Sequence, residues 1–99
     1  MENRTLSFHP DAVEEAEAAR DWYASRSERT ATRFLAELER AFERIVATPK
    51  QWPPHMRGTR FFKLRRFPYL VVYKESERAV WVVAVAHGRR KPGYWKKRL

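Results

Sequence analysis

The run Ala79–Ala86 (AVWVVAVA) constrains this chain more than any other segment. Eight consecutive apolar residues, half of them valine, make a strand with no face fit for water. Such a strand sits inside a sheet with material packed on both sides. It ends at His87, followed by Arg89, Arg90 and Lys91, with Tyr94 and Trp95 just beyond. A rigid element therefore carries an imidazole, fixed cations and a phenol at its end, groups suited to a polyanion.

The segments before it read as two more strands, Thr59–Arg65 and Tyr69–Lys74. Only Phe67-Pro68 and the turn Glu75–Arg78 separate the three, which leaves no room for a crossover helix, so they form an antiparallel meander. Upstream, Arg4–Phe8 alternates Leu6 with Phe8 and reads as a further strand at a sheet edge. Pro10 opens a helix that runs to about Ser25, with Asp11, Glu14 and Glu15 near its positive dipole end. Ala12, Ala16, Ala19 and Tyr23 share one of its faces. A second helix, capped by Ser25 or Ser27, places Phe34, Leu35, Leu38, Ala41, Phe42, Ile45 and Val46 on one stripe and stops at Thr48-Pro49. Lys50–Gly58 is a loop, exposed but ordered. The expected fold class is α+β, in the order β-α-α-β-β-β. A helical hairpin packs on one face of a four-stranded antiparallel sheet, as a single domain over residues 1–99.

Parity assigns the faces. Phe62 and Leu64 point toward the helices, while Phe61, Lys63 and Arg65 give a wet, positive face. In the last strand Trp81, Val83, Val85 and His87 share one side, and Val80, Val82, Ala84 and Ala86 the other.

Charge is divided unevenly along the chain. Residues 1–49 carry seven Lys/Arg against ten Asp/Glu, a balance of −3, and residues 50–99 carry fourteen against two, a balance of +12, for a net +9. That asymmetry points to a basic face that meets phosphates or an acidic protein. The absence of cysteine excludes disulfides, thiolate metal sites and cysteine nucleophiles. No apolar run approaches the ~18 residues of a membrane helix, and a cytoplasmic protein is expected. His9, His55 and His87 lack ligand spacing, so neither metal nor cofactor is expected.

These pieces in order resemble the RelE/ParE superfamily of toxins from type II toxin–antitoxin modules, including members labelled plasmid stabilisation proteins. The resemblance spans nearly the whole chain. It rests on Phe8-His9-Pro10 before an Ala/Glu-rich helix ending in Trp22-Tyr23, on Arg33-Phe34 and Leu38, on Leu64–Tyr69 with Val71-Val72-Tyr73, and on Val85–Arg90 with Pro92, Tyr94 and Trp95. It implies one of two activities. RelE-like members cut mRNA on the ribosome and so inhibit translation; ParE-like members poison DNA gyrase without hydrolytic chemistry. Either kind is neutralised by a cognate antitoxin, here expected to offer an acidic amphipathic segment, and meets operator DNA only through that antitoxin.

Metal-free RNA cleavage needs a base for the 2′-hydroxyl, cations for the phosphorane and an acid for the leaving oxygen. The candidate catalytic residues are His87, Arg65, Arg66 and Tyr94, with Arg60, Lys63, Arg89, Arg90 and Lys91 as phosphate-binding groups. Imidazoles titrate near neutrality, so His87 could serve as base or acid; it could equally cap a neighbouring backbone. Tyr94 and Trp95 could instead pack the tail on the sheet, and Lys96, Lys97 and Arg98 are expected in solvent. The second half offers only Glu75 and Glu77 as carboxylates, both at a hairpin tip away from His87. The expectation is a toxin that cleaves mRNA, with gyrase inhibition as the alternative. A sheet that simply binds nucleic acid would want a Gly-rich loop or an exposed aromatic pair, and neither is present.

Overall fold

The computed structural model describes residues 4–99; residues 1–3 of the single domain expected over 1–99 lie outside the described residues. The elements are β1 (Thr5–Phe8), α1 (Pro10–Ala24), α2 (Glu28–Ala47), β2 (Arg60–Lys63), β3 (Tyr69–Glu75) and β4 (Ala79–His87), with 3-10 turns at Met56–Gly58 and Lys96–Arg98. His9 starts α1, its Nδ1 accepting the Asp11 N–H at 3.0 Å, and Pro10 fills the first helical position. Of the two candidate caps for α2, Ser27 serves, accepting from the Thr30 N–H at 3.3 Å, while Ser25 ends α1.

Both helices pack on one face of the sheet. Phe34, Leu38, Ala41 and Ile45 of α2 join Ala12 and Ala19 of α1 against Val71, Tyr73, Val80 and Val82. Small residues on α1 let its axis lie close to β4. Tyr73 is fully buried and donates its hydroxyl to the Pro49 carbonyl, tying the end of α2 to β3; burial pushes this phenol up to about 12.

The strand order is β1-β4-β3-β2, which puts the apolar strand inside. β1 runs parallel to β4, from Thr5 opposite Ala79 to Phe8 opposite Val82. The sheet is therefore mixed, where an antiparallel one was expected. Two helices and a hairpin intervene between β1 and β4, and they supply the long connection that parallel neighbours require.

Two further departures set the functional geometry. Tyr73 pairs with Val82 and Val72 with Ala84, so Val83 is an unmatched residue, a β-bulge. The bulge reverses parity. Val80, Val82 and Val85 lie under the helices, while Val83, Ala84 and Ala86 pack on the opposite face. The expected alternation holds only as far as Val82, and the C-terminal end of β4 is turned toward α1. The second departure is that β2 stops at Lys63. The Leu64 N–H closes on the Tyr69 carbonyl at 3.0 Å, so Arg65 and Arg66 lie in the following turn and not on a strand.

The face expected to be wet is covered except at its Lys63 end. Val72, Val83, Ala84 and Ala86 form a second small core under Trp95, which is 2% exposed, with Met56, Phe61, Trp81 and Tyr94 around it. Gly93 makes this possible. Its φ of 81° reverses the tail, and a Cβ there would sit 2.6 Å from Lys96 Cε and 2.9 Å from Met56 Sδ. Since Trp95 closes this second core, Trp95→Ala is expected to cost about 3–5 kcal/mol. Urea unfolding should show it as a lower midpoint with an unchanged slope.

Candidate functional site

At the C-terminal end of β4, the turned-in strand meets α1 around a cavity of about 490 Å³. Its walls are Ala18, Ala19, Trp22 and Tyr23 from α1, Pro68 and Tyr69 from the start of β3, and Val85, His87, Arg90 and Tyr94 from β4 and the tail. His87 lies opposite Tyr69 in the ladder, and the two rings meet edge-on at 5.1 Å. Burial raises the phenol pKa values of Tyr69 and Tyr23, so both stay neutral hydrogen-bonding groups.

The imidazole is not free at both nitrogens. Nδ1 of His87 accepts the Arg89 N–H at 3.0 Å. Neutral histidine has one lone pair, so with Nδ1 accepting, Nε2 carries the proton and can only donate. The capping role and the cavity-facing role coexist in one side chain.

Beside it lies a carboxylate, Glu15 of α1. β1 ends its pairing at Val82, and past that point the outer edge of β4 has no strand partner. Side chains take over there. Glu15 Oε1 accepts the Val85 N–H at 3.0 Å, and Arg98 donates to the Val83 carbonyl, also at 3.0 Å. The same guanidinium grips Glu15 with two bonds of 2.9 and 2.8 Å, and Tyr94 donates its hydroxyl to Glu15 at 2.7 Å. Arg90 stacks 3.6 Å over the Tyr94 ring and lies 3.7 Å from Glu15. The pair is well shielded, with 16% of Glu15 and 13% of Arg98 exposed. Burial alone would raise the carboxyl pKa, but the bonds from Arg98, Tyr94 and the Val85 N–H outweigh it and hold it low. Burial and the carboxylate together push the Tyr94 phenol up. Arg98, expected in solvent with Lys96 and Lys97, is instead tied into the edge of the sheet because that edge needs a donor.

The expected site residues divide between two surfaces. His87, Tyr94 and Arg90 share the cavity, and Arg89 and Lys91 are exposed in the turn that follows β4. Arg65 and Arg66 lie across Phe67-Pro68, on a groove against α2. Lys63 is exposed at the end of β2. Arg60 stands apart. It pairs with Tyr73, about 13 Å along β3 from the Tyr69–His87 pair at ~3.3 Å per residue. There it donates to the Trp52 carbonyl at 2.7 Å and lies 3.8 Å from Glu75. Among the described residues no three His, Asp or Glu side chains converge as a metal site would need, and no helix is long and apolar enough to cross a membrane.

Comparison with known proteins fixes the family. A family profile described as ParE toxin of type II toxin-antitoxin system, parDE, matches residues 6–92. The chain belongs to the ParE toxin family of type II toxin–antitoxin systems. A solved chain from the chromosomal ParDE TA system from P. aeruginosa superposes with a TM-score of 0.74 at 14% identity, covering 85% of this chain and 95% of that one. That likeness supports the fold of two helices on a four-stranded mixed sheet. No curated protein sequence matches significantly.

The toxin's Glu15 and Arg98 were not among the residues singled out by sequence, although a signal existed. Glu15 follows Ala12 by three and precedes Ala19 by four, and both alanines are buried, so it falls on the stripe that faces the sheet. A carboxylate there needs a buried partner. Because the folded Glu15 pKa is depressed, its contribution to stability is fully present above the unfolded value near ~4.3 and is lost as pH falls through the lower folded value. Glu15→Gln is expected to lose about 2–3 kcal/mol at pH 7, toward the low end for a buried pair left with one charge. In denaturant titrations between pH 7 and 3 the gap between variant and parent should narrow with acidification.

Proposed function

We propose that this toxin arrests growth by binding DNA gyrase, with no hydrolytic chemistry of its own, and is neutralised by a cognate antitoxin. One observation carries the reading: the groups at the end of β4 that could take up a proton as a base are already engaged. Nδ1 of His87 accepts from Arg89, the Tyr94 hydroxyl donates to Glu15, and Glu15 receives bonds from Arg98, Tyr94 and the Val85 N–H. Ribonuclease chemistry asks for a free base beside several phosphate-clamping cations, whereas of the expected cations only Arg90 lines the cavity with His87, and Arg65 and Arg66 line a different groove. The family's ParE character points the same way.

What remains at the cavity is the composition of a protein-docking surface. Trp22 is 53% exposed, with Arg26 stacked 3.7 Å over its ring and Tyr23 edge-on at 5.1 Å. Exposed Trp, Tyr and Arg around a concave apolar patch are the residues that dominate protein interfaces. The antitoxin partner fits the strongly basic second half, which favours an acidic amphipathic segment; operator DNA is then reached through the antitoxin.

The experiment compares gyrase supercoiling with cell-free translation and mRNA integrity. Purified toxin should block supercoiling and leave mRNA intact. Trp22→Ala should weaken the block roughly 30-fold, the ~2 kcal/mol of an interface hot spot, while His87→Ala retains it. Messenger cleavage abolished by His87→Ala, with supercoiling untouched, would replace this reading with the ribosomal one.

A further inference from the structure

The second groove of the molecule lies between α2 and the turn after β2, and neither the family match nor the gyrase reading uses it. It has a volume of about 500 Å³ and is lined by Arg33, Arg40 and Arg44 from α2 and by Arg65 and Arg66 from the turn. Positions 33, 40 and 44 fall on one helical stripe, with Glu37 among them. The acids Glu39 and Glu43 lie off that stripe and do not line the groove. None of the five guanidiniums has an ion-pair partner within 4.0 Å among the described residues. Five guanidiniums and one carboxylate, Glu37, line this concavity, so the cations repel one another, and an anion relieves that repulsion.

Glu37 shows how the arrangement is held. Its Oε2 accepts the backbone N–H of Arg65 and, at 3.1 Å, that of Arg66. The carboxylate thus binds the turn to α2 through main chain and leaves both arginine side chains free over the groove. All five cations are Arg, whose planar fork grips phosphate oxygens in pairs. The stripe from Arg33 to Arg44 extends about 16 Å at ~1.5 Å per residue. That length matches several phosphates, at one per ~3.4 Å of axis along a strand.

We infer that this arginine groove is a binding site for the phosphodiester backbone of a nucleic acid. An acidic peptide is the competing polyanion, and composition argues against it here. An amphipathic peptide wants exposed apolar anchors, yet the two large apolar residues lining the groove, Phe62 and Phe67, are half-buried and packed on the main core, and the exposed ones, Phe8, Val13, Trp22, Leu35 and Leu99, lie outside it. The inference does not depend on gyrase, since it concerns a different surface and a measurement with no gyrase present.

The test is fluorescence anisotropy with the whole toxin and three labelled probes: a 20-base-pair DNA duplex, a 20-nucleotide RNA and a poly-glutamate peptide of matched charge. Four phosphate contacts predict a slope of about −3.6 in log K against log salt for the duplex, and a fall on the order of 100-fold between 50 and 200 mM NaCl. Arg40→Ala with Arg44→Ala should reduce that slope by about 2. The control pair Lys74→Ala with Arg78→Ala removes the same charge from exposed positions elsewhere and should leave it unchanged. The relative affinities of duplex and RNA tell which nucleic acid is preferred. Three results overturn the proposal: no binding of either nucleic acid at 50 mM salt, equal loss in the control pair, or tighter groove-dependent binding of the poly-glutamate peptide. Matching thermal midpoints for all variants confirm that folding is not what changed.

Discussion

Everything at the working end of this toxin depends on how the bare edge of β4 is satisfied. β1 accompanies β4 only to Val82, and the chain then turns into α1. A buried strand whose N–H and C=O groups point into an apolar interior without partners costs several kcal/mol. Glu15 and Arg98 fill that role from opposite ends of the sequence, one from the first helix and one from the last turn. By pairing with each other as well as with the strand, they bring the C-terminus under the same constraint as α1. The cavity beside His87 has fixed walls because this clasp holds two of them together.

The same clasp is the reason we propose contact and not hydrolysis as this toxin's mode of action. A carboxylate, a phenol, an imidazole and an arginine do meet at the end of the strand, which is the inventory of a small ribonuclease. The proton-accepting positions of the imidazole and the carboxylate are occupied by the backbone, Tyr94 and Arg98. Stability and catalysis compete for these groups, and here the edge of the sheet has claimed them. What is left is a surface of exposed Trp22 and Arg90 with half-buried Tyr69 on one side of Phe67-Pro68 and an arginine groove on the other. A protein that acts by contact needs surfaces of this kind more than it needs a titrating residue.

Much of the fold was legible because its signals are local. The eight apolar residues of β4, the 3-4-7 stripe of α2 and the Pro10 start of α1 each declare an element within a few residues of chain. The meander followed from short gaps. What was hidden depends on distant partners. Val83 looks like its neighbours, and only the pairing of Val72 and Tyr73 across the ladder shows it to be a bulge. That one residue moves His87 to the helix side, so the parity of the strand end could not be read from alternation. The parallel setting of β1 is a property of the whole topology. Glu15 and Arg98 are 83 residues apart, and no periodicity links them. The wet positive face failed for a related reason: the tail that covers it is short and basic, yet Trp95 is the residue that decides where it lies.

The most direct test of the clasp is hydrogen exchange at the Val85 amide. This N–H has no strand partner, and its acceptor is a side-chain carboxylate. If Glu15 holds the edge, this amide is protected to within about tenfold of the ladder amides of Val71 and Val72, with exchange governed by global opening. Exchange at the rate of the exposed Arg89 turn would mean that Glu15 does not hold the edge, and the fixed cavity built on it would go with it.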